Sequence, residues 1–138
     1  MNLGLHYIIR FCHTLINKKI LQKTNILGLS PGQPKILEFL DKHNGCEQKE
    51  IAKACGIEPA TVTHLLARME EVHLIERKQI NGNRRSWHVF LTTEGEGVNQ
   101  KVFKIFDEVR KEAFEGFTVE EQAETFRLLT KMFDNLSK

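Results

Sequence analysis

Apolar residues recur at spacings of three and four through the first 24 residues, at Leu3, Tyr7, Ile8, Phe11, Leu15, Ile16 and Ile20. That spacing predicts a helix with a broad apolar stripe. Residues 25–34 hold Gly and Pro breakers. Within them Ser30 and Pro31 read as the cap and first-turn proline of a second helix, marked by Ile36, Leu37, Phe39 and Leu40 and ending near Asn44 and Gly45. A short third helix is expected over Glu47 to Cys55, stopped by Gly56. Glu58 and Pro59 open a fourth, which runs to about Val72 on Val62, Leu65, Leu66 and Met69.

From Leu74 the pattern changes. Leu74 to Gln79 and Ser86 to Leu91 are β-like runs around the turn formers Asn81, Gly82 and Asn83, which predicts a hairpin. Thr92 or Thr93 then caps a long helix, with Thr93 and Glu96 at capping-box spacing. Its expected buried positions are Val98, Val102, Ile105, Phe106, Val109 and Ala113, and Gly116 ends it. The last helix carries a seam of Val119, Ala123, Phe126, Leu129, Phe133 and Leu136. The expected class is therefore mainly α with a small β-hairpin, in a single domain spanning 1–138.

Two adjacent helices suggest chemistry. Ala52 is small where they would cross, Gly56 sits in the turn, and Val62 is placed to pack the second onto the first, as in a helix-turn-helix. Such a unit holds its second helix clear of the body, so that Pro59, Ala60, Thr61, Thr63 and His64, with Arg68 one turn on, can enter a major groove. Threonine hydroxyls bond phosphate or base edges and their methyls meet a thymine methyl, while an arginine reaches guanine or phosphate. Read alone, the same pattern fits an ordinary helical hairpin with an exposed polar face. The hairpin that follows adds weight to the first reading. Arg84 and Arg85 lie near its tip and Lys78 on the opposite strand, as a wing requires for phosphate contact and minor-groove insertion.

Charge matters through its distribution. The 138 residues carry a net +2, but residues 1–91 hold +5 and 92–138 hold −3, and the segment from Glu76 to His88 alone holds +3. A hydrophobic fraction of 41% with 28% charged residues suits one soluble domain with a modest core. No apolar run is long enough for a membrane span, and the order of residues at the N-terminus is not that of a secretion signal, so a cytoplasmic protein without membrane contact is expected. Cys12, Cys46 and Cys55 form no C-x-x-C pair, which argues for reduced thiols rather than disulfides or a zinc finger. The six histidines form no i, i+4 pair and the common catalytic signatures are absent, so neither a metal, a cofactor nor an enzyme is expected. Six of the nine phenylalanines lie in the last two helices and their connection. With the broad stripe of the first helix they suggest a surface that a second copy covers, although an intramolecular three-helix pack would also use it.

The run from Ala60 through His64 to Glu70, then Leu74 to Arg77, then Asn83 to Arg85, then Leu91, Thr92 and Gly95, resembles the MarR family of bacterial transcriptional regulators over nearly the whole chain. The resemblance implies a homodimer built on long terminal helices (1–29 and 92–138) around a winged helix-turn-helix lobe (30–91). It implies binding to double-stranded DNA at a palindromic operator, with release by a small, commonly phenolic ligand or by oxidation. It makes Thr61, Thr63, His64 and Arg68 groove-facing, Arg85 the minor-groove arginine, Arg84 a backbone neighbour and Arg77 a brace of the wing. Asn83 departs from the aspartate usual there and implies a wing that is either looser or held by neutral hydrogen bonds. His64 replaces a common arginine and Ala67 a common aspartate, which implies a different operator preference and, through an imidazole that ordinarily titrates near neutrality, a mild pH dependence. Cys12 occupies the helix in which some members sense oxidants, and it also fits as a small buried residue at the dimer interface. The alternative to a DNA-binding regulator is a winged-helix module that binds protein.

Overall fold

In the computed structural model, which describes residues 3–80, 82 and 84–138, the elements are α1 (Leu5–Thr24), α2 (Gln33–Lys42), β1 (Cys46–Glu47), α3 (Gln48–Cys55), α4 (Pro59–Glu71), β2 (Ile75–Lys78), β3 (His88–Leu91), α5 (Thr93–Ala113) and α6 (Val119–Leu136), with a 3-10 turn at Asn25–Leu27. The fully buried large side chains lie between Thr24 and Val102. They come from one face of each element: Ile36, Leu37 and Leu40 of α2, Ile51 of α3, Val62, Leu66 and Met69 of α4, Ile75 of β2, Val89 of β3 and Val102 of α5. Each such side chain contributes roughly 1.5–3 kcal/mol. Apart from Thr24 and Val102, these side chains all lie between Ile36 and Val89.

The sheet is antiparallel in the order β1-β3-β2, with Cys46 opposite Val89 and Lys78 opposite His88. Strand β1 is absent from the sequence reading because two residues have no periodicity to detect. It forms because Gly45, at φ +85, turns the chain so that its amide reaches the Val89 carbonyl at 2.8 Å. The hairpin strands are also shorter than expected, which leaves residues 79–87 as the wing loop.

One cap differs from expectation, and at a second the structure selects one of the two expected residues. Helix α2 starts at Gln33 after Gly32 (φ +94), with Pro34 in its first turn, so Ser30 and Pro31 precede it in a turn. There Ser30 donates its amide to Gln33 Oε1 at 3.0 Å, and its own hydroxyl caps nothing. Helix α5 is capped by Thr92, whose Oγ1 accepts from the Gly95 amide at 2.9 Å, so Thr93 and Glu96 form no capping box. The Thr92 hydroxyl also donates to the His73 carbonyl at 2.5 Å and its amide to the Leu74 carbonyl at 3.1 Å. This seats the start of α5 on the chain leaving α4. The seat is so close that a Cβ on Gly95 would overlap the Leu74 carbonyl oxygen.

Helix α1 lies along α5, tied by Lys19 to Glu112 at 2.6 Å and Lys23 to Glu108 at 3.2 Å. The Phe114 and Phe126 rings meet in a tilted contact at 5.3 Å, which joins α6 to the end of α5. Helix α6 buries no residue in the single chain; Phe133 is 67% and Leu136 82% exposed. Ala113, expected to be buried, is exposed, because the last turn of α5 extends past the core along a cavity wall.

Gly95→Ala is expected to lower stability by at least about 2 kcal/mol, since backbone must move to admit the methyl. Gly97→Ala, two residues on with open space around it, is expected to be neutral or to stabilise by roughly 0.5–1 kcal/mol. Thermal unfolding of both variants checks the pair.

Candidate nucleic-acid interface

Pro59 opens α4 at its first position, where a missing amide costs nothing. Val62, Leu65, Leu66 and Met69 face the core. At 3.6 residues per turn, Ala60 and His64 then point directly away from the core, Thr61 and Arg68 lie on one flank and Thr63 on the other. Pro59, Ala60, Thr61, Thr63, His64 and Arg68 are all exposed, so the six α4 residues selected from sequence share one accessible surface.

The wing rises beside this surface. Arg84 and Arg85 are exposed on its β3 side, and Gln79 Nε2 donates to the Arg84 carbonyl at 3.0 Å across the loop. Asn83, expected to support these arginines, lies outside the described residues. Lys78 is at the base of the wing, ion-paired with Glu76 at 3.3 Å and 5.3 Å above the Phe90 ring.

Arg77 braces the wing, and its partner is one that sequence reasoning missed. Its Nη2 donates to Glu70 Oε1 at 3.0 Å and its amide to Glu70 Oε2 at 3.3 Å, while its guanidinium carbon is 5.9 Å from the Trp87 ring. Glu70 at the end of α4 thus grips β2. The hydrogen bond and charge of Arg77 hold the Glu70 carboxyl below its usual range. Nothing local marks Glu70 for this role, because the pairing requires the chain to reverse between α4 and β2.

Gln48 was also missed. It is the first residue of α3 and touches both reading elements: its amide donates to the Trp87 carbonyl at 2.9 Å and its Nε2 to Thr63 Oγ1 at 2.7 Å. Gln48, Pro59, Val62, Thr63, Arg85 and Trp87 line a cleft of about 270 Å³ between α3, α4 and the wing.

Other candidate chemistry is spread out. Burial, with help from the Glu50 charge, pushes the Cys46 thiol up to about 11, and burial also raises Cys55, so both are protonated thiols at neutral pH. Cys12 is exposed on α1, and Arg10, the neighbouring cation, lies over the Phe11 and Tyr7 rings. Among the described residues no three His, Cys, Asp or Glu side chains gather as a metal site, and no helix is long and apolar enough to cross a membrane.

Comparison with known proteins agrees with this geometry. The MarR family model matches residues 29–87. The transcriptional regulator HosA of Escherichia coli is 31% identical over 77% of this chain and 78% of its own. The chain belongs to the MarR family. The fold matches the MepR–DNA complex of S. aureus at a TM-score of 0.80 with 28% identity, covering 98% of this chain and 99% of that one. It also matches a MarR regulator from Methanosarcina mazei Go1 at a TM-score of 0.88 with 24% identity, covering 95% and 94%. MarR-family transcriptional regulators are non-enzymatic DNA-binding proteins, and the resemblance read from residues 60–95 identified the right family and fold.

Glu70→Gln is expected to remove the Arg77 ion pair and, because Glu70 is 41% exposed, to cost no more than about 1 kcal/mol at neutral pH. A carboxyl titrating lower in the folded state contributes stability above the ordinary glutamate range and loses it as pH falls through the lowered value. Urea midpoints of wild type and variant should therefore differ at neutral pH and converge in acid.

Proposed function

We propose that this MarR-family regulator is a homodimeric repressor of an inverted-repeat operator, with α4 in the major groove and Arg85 of the wing in the minor groove. The observation that carries this reading is the single exposed surface formed by α4 and the arginine-bearing loop beside it, braced by Glu70 and Arg77. Ala60, Thr61, Thr63, His64 and Arg68 meet base edges and nearby phosphates, and Arg84 and Lys78 contact backbone. In a dimer, two such helices about 34 Å apart meet half-sites one turn apart.

The partner copy covers the terminal helices. Tyr7, Ile8, Phe11 and Leu15 of α1 and Phe133 and Leu136 of α6 are exposed in the single chain, a larger apolar surface than a monomer ordinarily presents to water. Residues 1–29 and 92–138 thus serve dimerisation and 30–91 serve DNA.

A cavity of about 540 Å³ between α1, α2, α5 and α6 supports control by a small effector. Its walls are mainly apolar, with Lys35, Glu38, Arg110 and His13 as polar groups, which suits an aromatic, phenol-bearing molecule. Burial raises the Glu38 carboxyl above its usual range. A ligand there touches both the terminal helices and α2 of the DNA lobe, and so has a physical route to operator affinity.

A gel shift on duplexes that the protein selects from a random library tests the DNA reading. Arg85→Ala should weaken binding across sequences and lower the salt slope by about one per subunit, whereas Arg68→Ala should alter the preferred sequence. Unchanged affinity and slope in Arg85→Ala would remove the wing from the interface, and no retained duplex at all would favour the protein-binding alternative. Phe133→Glu should shift the dimer toward monomer in sedimentation and weaken operator binding at least tenfold, because each half-site is then held alone.

A further inference from the structure

We infer that Gln48 sets base preference by turning the Thr63 hydroxyl toward α3, so that Thr63 meets DNA with its methyl and selects a thymine methyl in each half-site. This rests on the DNA-binding reading above.

A threonine hydroxyl has one proton and two lone pairs. In Thr63 the proton goes to the Pro59 carbonyl at 3.1 Å and one lone pair accepts from Gln48 Nε2 at 2.7 Å. The structure places Nε2 of the Gln48 amide against Thr63, so Gln48 supplies a donor to that oxygen. Having donated to Pro59, the hydroxyl has no proton for a phosphate, for guanine N7 or O6, or for thymine O4. Thr63 nevertheless remains exposed; its remaining lone pair can only accept, and thymine presents O4 and a methyl but no donor in the major groove, so what Thr63 offers a thymine is its methyl.

Two features strengthen this chemistry. Ala60, Thr63 and Ala67 follow at i, i+3 and i+7, so the methyl belongs to a strip of small apolar groups along α4, which suits contact with the C5 methyl of thymine. Gln48 itself is held in place by its amide bond to Trp87 at the root of the wing, so its side chain acts from a fixed base. Gln48 is a positioning residue, acting on DNA through Thr63.

The test uses the full-length dimer and an operator that wild type selects from a random duplex library. Each thymine is replaced in turn by deoxyuridine, which removes only the methyl. At one position per half-site the replacement should weaken wild type about fourfold. Thr63→Ser should bring that ratio near one, and Thr63→Val, which keeps a methyl, should preserve it. Gln48→Met, which removes the hydrogen bond that holds the hydroxyl toward α3 and so lets the Thr63 side chain turn, should bring it below twofold with overall folding unchanged by circular dichroism. The serine and valine variants test the methyl contact independently of how Gln48→Met folds. A wild type that binds its operator but is blind to every thymine methyl overturns the inference, as does Gln48→Met with the wild-type ratio. A wild type that selects no sequence overturns the DNA-binding reading and this one with it.

Discussion

The close seat of α5 on the chain leaving α4 is the constraint on which the rest of the structure depends. The His73 and Leu74 carbonyls, the Thr92 hydroxyl and amide, and the bare Cα of Gly95 meet there at separations that no side chain at position 95 would allow. His73 adopts φ 63 in this turn, outside the ordinary range of a non-glycine residue, and the hydrogen bonds around it hold that conformation. Because the α5 N-terminus is fixed to the end of the recognition helix, any tilt of α5 is carried to α4. A second link farther along α5 reinforces the coupling: Asn99 is 2% exposed and donates from Nδ2 to the Leu37 carbonyl of α2 at 2.8 Å. A polar bond in an otherwise apolar contact fixes the register of α5 on α2, since sliding would leave a buried amide unpaired.

The hairpin is anchored to the helices for a related reason. The hairpin pairs only four residues of β2 with four of β3, and alone it would be marginal. It is stapled to α4 through Glu70 and Arg77 and to α3 through the Gln48 amide and the pairing of β1 with β3. Helix α4 and the base of the hairpin are therefore held together by contacts within the chain, which in the proposed DNA-binding reading reduces the ordering cost of binding. The terminal helices behave differently. The apolar faces of α1 and α6 are largely exposed in the single chain, and the cavity between α1, α2, α5 and α6 lies where they meet the lobe. In the proposed dimer the least self-sufficient part of the fold is also the part an effector would adjust.

Most of the architecture was legible in residue order because its elements have strong local causes. The spacing of Val62, Leu65, Leu66 and Met69, the stop at Gly56 and the proline at 59 place α3 and α4 within a residue or two of their observed bounds. The outward residues of α4 and the wing arginines were legible for the same reason, since helical period and a charge cluster are local patterns. Errors arose where two local signals competed. Ser30 and Pro31 look like a cap, yet Gly32 and Pro34 offer a better one; at α5 the sequence left Thr92 and Thr93 open, and Thr92 is used because its hydroxyl serves both Gly95 and His73.

The sequence by itself determined the element order, the helix-turn-helix, the basic wing and the family. Each follows from interactions among neighbours a few residues apart, which periodicity, caps and breakers record. Tertiary structure alone decided that Glu70 braces Arg77, that Gln48 joins the wing to Thr63, that two residues at Cys46 complete the sheet, and that Gly95 is required by the Leu74 carbonyl. These are contacts between segments that are distant in sequence or brought together only when the chain reverses, and they depend on directions and separations that no one-dimensional pattern carries.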